Sequence, residues 1–127
     1  MLTNLLINLL TSDLDILKLH LVGYSVGTHI TGLIGRQIKE RSASKFVVKR
    51  ITALDPAFPM FYPEIFYKPI SKDDAEFVDV IHTDAGLYGT PLATGTADFW
   101  PNGGYVPQPG CPLRTFQAWA DEGNTFQ

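Results

Sequence analysis

The most constraining feature of the chain is one short passage. Ile16 to Val22 is a mostly apolar run, Gly23-Tyr24-Ser25-Val26-Gly27 breaks it sharply, and Val26, Ile30, Leu33, Ile34 and Ile38 then recur at helical spacing. A continuous apolar run suits a strand buried on both faces of a parallel sheet. The stripe that follows predicts an amphipathic helix, ending in the charged stretch around Lys39 to Arg41. Strand, tight turn, helix is the start of a crossover unit, which places the turn at the carboxyl edge of a parallel sheet. Gly32 and Gly35 would each weaken this helix by about 1 kcal/mol relative to Ala. They make sense if the helix lies very close to the sheet.

The turn also has the form G-x-S-x-G. That chemistry needs a serine whose oxygen projects from a sharp bend between strand and helix, with helix N–H groups near a developing oxyanion. Gly23 and Gly27 are expected to remove side chains that would clash in the bend. Ser25 is therefore the candidate nucleophile. Alternatively, it is a bystander in a strand-to-helix turn.

The rest of the chain extends the same architecture. Phe46 to Leu54 contains a second strand, closed by Asp55-Pro56, and Phe77 to His82 is a third. The alternation of helices and strands predicts an α/β fold with a parallel sheet of three or four strands. Leu2, Leu5, Leu6, Leu9 and Leu10 recur at helical spacing, so Met1 to Leu10 reads as an amphipathic helix. No Lys or Arg precedes this segment and no small-residue cleavage site follows it, which argues against a signal peptide. All nine prolines fall at or after residue 56, and seven of eleven glycines at or after residue 86. Residues 84–112 are accordingly expected to be connections with one more strand.

Composition narrows the partners. The 127 residues carry a formal charge of -3, which lacks the basic footprint of a nucleic-acid binder. No apolar stretch is long enough to span a bilayer. The single cysteine, Cys111, excludes an internal disulfide and an all-cysteine zinc site. Six of ten basic residues lie between Arg36 and Arg50. This segment reads as a solvated loop at the edge opposite Ser25 rather than an anionic-lipid patch.

Asp55 ends a strand, as the residue before Ser25 does, so both belong to one sheet edge. Asp before Pro is also a common turn residue. Phe58, Phe61, Tyr62, Phe66 and Tyr67 crowd that edge, either as an acyl-binding wall or as cover over the core. Three histidines could be asked to act as base. His20 is up to about 16 Å back along the strand at roughly 3.3 Å per residue. His29 lies one turn into the helix, away from the direction in which the bend points Ser25. His82 closes a strand at the correct edge, and the order Ser25, Asp55, His82 is one that hydrolases use.

Taken together and in this order, HLVGYSVGTHITGLIGR, ITALDPAFP, FVDVIHTD and ADFWPNGG resemble the animal lipase family that includes pancreatic-type lipases. Insect lipases and phospholipases A1 look most similar. The resemblance runs over about residues 2–112 of a partial domain spanning 1–127, leaving 113–127 as a divergent tail. It implies a truncated α/β-hydrolase fold, with Ser25 as nucleophile, Asp55 as triad acid and the Val26 N–H as an oxyanion donor. It implies a lipid substrate or lipid–water interface as partner, an extracellular location and no cofactor. In the family the triad histidine follows a lid loop beyond the cysteine matching Cys111, and the IHTD histidine matching His82 is not catalytic. No histidine follows Cys111 here, so this chain alone is expected to be inactive. The calcium loop of such lipases falls near residues 64–74, where only Asp74 matches a ligand, so no metal is expected. The alternatives are a yolk-type lipid-binding relative without catalysis, and a truncated isoform or gene model. Retention of Ser25 argues against the yolk-type reading.

Overall fold

The computed structural model describes residues 2–12, 14–64 and 67–111. The segment read as a divergent tail, 113–127, and Phe66 lie outside the described residues. Helix α1 (Leu2–Ser12) leads through a single 3-10 turn (Ile16–Lys18) into strand β1 (His20–Tyr24). Helix α2 (Val26–Arg41), β2 (Arg50–Leu54), β3 (Phe77–Ile81) and β4 (Ala97–Phe99) follow in order. The expected first strand is therefore displaced. Ile16 to Lys18 turn instead of extending, because the Asp15 carboxylate accepts the Leu17 N–H at 2.9 Å, a local bond that competes with extended backbone.

The four strands form one parallel sheet in the order β1-β2-β3-β4. Their ends are level: Tyr24 is in register with Leu54, Leu54 with Ile81 and Ile81 with Phe99. The ladder then takes one more step on each strand. Ser25 N–H donates to Leu54 O (2.9 Å), Asp55 N–H to Ile81 O (2.7 Å) and His82 N–H to Phe99 O (2.8 Å). The residues that close three adjacent strands are thus fixed side by side by backbone bonds.

One face of the sheet is the core. Ile51, Ala53, Val78 and Val80 are fully buried there, with Ile34 and Ile38 of α2 and Leu10 of α1. The opposite face is open among the described residues. Val22, Tyr24, Phe77 and Phe99 are all exposed, so the expectation of strands buried on both faces fails. On that face a polar ladder runs across the strands. His20 meets the Thr52 hydroxyl at 2.8 Å, Thr52 donates to Asp79, and Arg50 grips Asp79 with two bonds of 2.9 and 3.1 Å. Those bonds hold the Asp79 carboxyl below its ordinary range, the Arg50 hydrogen bond most strongly.

The predicted stripe of α2 is only half right. Ile34 and Ile38 are buried, but Val26, Ile30 and Leu33 are about half exposed. The inward face is instead Thr28, Thr31, Gly32 and Gly35. Thr28 and Thr31 satisfy their hydroxyls on the helix's own carbonyls, Ser25 O and Thr28 O, at 2.7 Å each. The two glycines then permit close approach. A Cβ on Gly35 would strike the Asp74 carbonyl and sit 3.0 Å from Ile51, and one on Gly32 would sit 2.8 Å from the Asp74 carboxylate.

Candidate active site

Ser25 occupies the first position outside α2 with φ 52° and ψ -121°. Left-handed backbone is uncommon for a residue with a Cβ and costs about 1–3 kcal/mol, so tertiary bonds must impose it. They are present: the N–H is held by Leu54 O, and the carbonyl accepts from Ala57 N–H at 3.4 Å, beside the local first-turn bond from Thr28 N–H at 3.1 Å. The hydroxyl makes no helix-capping bond. Gly23 is needed here, since a Cβ would lie 2.5 Å from Gly27 O. At Gly27 a Cβ would meet nothing within 4 Å, so the expected symmetry of the two glycines fails. Val26 opens the helix, and the N–H groups of a first turn have no intrahelical acceptor.

Asp55 also takes a left-handed backbone, φ 49°, directly after β2. Its carboxylate is buried, and Oδ1 accepts two N–H groups, from Thr83 and Asp84, at 3.0 Å each. Gly89 lies against it so closely that a Cβ there would collide with Oδ1. Asp84 stands beside it. Burial, and then the Asp55 charge, push the Asp84 carboxyl above its ordinary value. The sequence reading did not single out Asp84, Gly89 or the Thr83 amide. The available signal was position: Asp84 stands two residues past His82, on the same sheet edge as Asp55.

None of the three histidines faces Ser25 as a base. His20 is on the open sheet face with Thr52. His29 is buried, stacks on Phe61 with ring centroids 3.7 Å apart, takes the Ile70 N–H on Nδ1 and meets Ala57 O with Nε2 (2.9 Å). Accepting on Nδ1 fixes the neutral ring with its proton on Nε2. Burial lowers its pKa accordingly. His82 is fully buried; Nδ1 meets Thr90 O at 2.9 Å, Nε2 meets Asp98 Oδ1 at 2.8 Å, and the ring stacks on Trp100. Both of its nitrogens are committed, so its place at the correct edge does not make it a partner of Ser25.

Part of the aromatic cluster covers the core and part is exposed. Phe61 is buried against His29, and the buried hydroxyl of the half-buried Tyr62 is pushed up to about 12 by desolvation. Tyr67 is exposed and, with Ile30, Leu33 and Phe61, lines an apolar groove of about 250 Å³. The groove lies along α2 and is not lined by Ser25 or Asp55. Asp74 is fully buried, with both oxygens on Arg36 at 2.9 and 3.0 Å. Lys49 and Arg50 also pair, with Glu76 and Asp79, but their side chains stay exposed; only Arg36 departs from the reading of the 36–50 segment as solvated. Cys111 is exposed with a free thiol. No helix among the described residues is long and apolar enough to cross a membrane.

A parallel sheet with a strand–serine–helix turn at its carboxyl edge, and an aspartate at the end of the next strand, is α/β-hydrolase architecture. Comparison with known proteins gives the family. The lipase family model matches residues 2–124. Lipase member H of Oryctolagus cuniculus is 41% identical over 100 residues, covering 79% of this chain and 21% of that protein. A putative endothelial lipase of Crotalus adamanteus is 42% identical over 106 residues, covering 80% and 20%. Pancreatic triacylglycerol lipase of Mus musculus is 41% identical over 115 residues, covering 84% and 23%. The chain belongs to the pancreatic-type lipase family, over part of its domain. It spans about a fifth of the length of the curated relatives it matches.

Proposed function

We propose that these residues form the nucleophile-bearing part of a carboxylic ester hydrolase acting on lipid acyl esters. The observation that carries the reading is the placement of Ser25 and Asp55. They sit at the level ends of adjacent parallel strands, the serine in a tertiary-imposed bend with its hydroxyl spent on no cap. In this reading Ser25 Oγ attacks the acyl carbon while a histidine oriented by Asp55 takes its proton. The Val26 N–H bonds the developing oxyanion, and water then hydrolyses the acyl-enzyme. Because His20, His29 and His82 are engaged elsewhere, the base comes from polypeptide outside these 127 residues. The chain by itself is then inactive, since loss of a triad member costs several orders of magnitude in rate. Residues 1–127 are read as a partial lipase domain, working outside the cell on triacylglycerol or phospholipid.

The test is to treat the native protein, isolated from its source, with a fluorophosphonate and map the adduct. An adduct on Ser25, in a protein whose intact mass exceeds 14.1 kDa, supports the reading. Labelling elsewhere with Ser25 untouched overturns it in favour of a lipid-binding relative without catalysis.

A further inference from the structure

The Asp55 carboxylate is held by two backbone N–H groups, so its aim depends on how the segment 82–85 is anchored. The decisive group is the peptide joining Thr83 and Asp84. Its N–H end donates to Asp55 Oδ1 at 3.0 Å, and its C=O end accepts from the side-chain Nε2 of Gln108 at 3.1 Å. A peptide is planar, so a bond at its oxygen fixes the direction of the N–H across the plane. Donation to the carbonyl also polarises the N–H toward its acceptor.

Gln108 is itself well anchored. Its Nε2 also lies 3.2 Å from Pro101 O and 3.1 Å from Tyr105 O, and its Oε1 accepts from Asn102. The neighbouring links converge on the same short segment. Ala85 N–H donates to Gly104 O at 2.8 Å, and the His82 ring clasps Asp98 and Thr90 O. Asp98 is fixed in turn by the N–H groups of Thr94 and Gly95.

We propose that Gln108 is a positioning residue for Asp55, acting through the Thr83–Asp84 peptide. The loop following β4 then serves as a brace that aims the carboxylate. This rests on the reading above, in which Asp55 orients the base histidine.

Gln108 is half-buried in a surface loop, so its substitution spares the core. The experiment compares Gln108→Ala and Gln108→Glu with the native full-length protein, reading the rate of fluorophosphonate reaction at Ser25 against pH. Glu preserves size and removes the donor. Both variants are expected to react about 10-fold more slowly, since small misplacement of a catalytic group can cost up to about 100-fold. Their acid limb is expected at lower pH, because a less well aimed carboxylate raises the basicity of the base histidine less. A slower rate with the limb unmoved marks a merely structural loop and overturns the proposal, as does an unchanged rate. The Asp84 amide proton shift reads the contact independently of reactivity. An unchanged shift in Gln108→Ala overturns the proposal even if Ser25 reacts. Failure of the native protein itself to react at Ser25 overturns the reading of the site instead.

Discussion

The amide of Ser25 donates to the carbonyl of Leu54, the residue before Asp55, at 2.9 Å. The β1–β2 ladder therefore continues through the bend and sets the spacing of the two candidate residues by backbone alone. Side chains then decide whether the bend can form. Gly23→Ala places a Cβ 2.5 Å from Gly27 O and is expected to destabilise the chain by about 2 kcal/mol or more. Gly27→Ala meets nothing within 4 Å and is expected to stabilise α2 by up to about 1 kcal/mol. Urea midpoints at constant m-value measure both; shifts of the same sign would refute the asymmetry.

Arg36 and Asp74 make a bidentate pair with Asp74 fully buried and Arg36 largely so. Removing one partner strands the other charge. Asp74→Ala is expected to cost about 3–5 kcal/mol. The paired replacement Arg36→Met with Asp74→Leu should recover most of that loss. A double-mutant cycle measures the coupling, and simple additivity would show that the pair contributes nothing as a pair.

His29 predicts a pH dependence. Burial lowers its folded-state pKa below 6.5, so the unfolded chain takes up the proton first as pH falls. Its contribution is complete above about pH 6.5 and is lost progressively below it. Urea midpoints compared at about pH 7.5 and about pH 5.5 should fall more for the wild type than for His29→Gln. Equal falls would mean that the buried ring is not the titrating group.

Asp84 predicts the opposite sign. Its folded-state pKa lies above 3.8, through burial and then the charge of Asp55. The protonated native form is favoured below that range, and the advantage is lost as pH rises through the folded value. Asp84→Asn should therefore raise the melting temperature at neutral pH, with the gain shrinking as pH falls into the carboxylate range. A gain independent of pH would point to packing.

Much of this was legible along the chain. The GYSVG bend, the strand ends at Leu54 and Ile81 and the helix between are local matters of turn chemistry and apolar runs. The orientation of α2 was not legible. Hydrophobic periodicity assigned Val26, Ile30 and Leu33 to the core, but close approach to the sheet and to Asp74 selects the face of small and self-bonded residues. Gly32 and Gly35 carried that message, and their spacing was the better guide.

The sequence by itself determined an α/β order, a serine on a strand-to-helix bend and an aspartate one strand over, because each depends on residues a few positions apart. Only the tertiary structure decided what each histidine touches, that Arg36 belongs to Asp74, and that Asp55 is held by the Thr83 and Asp84 amides. The physical reason is separation along the chain. His29 and Ile70 are 41 residues apart and Arg36 and Asp74 are 38 apart. Such pairs meet only once the sheet has brought their loops together.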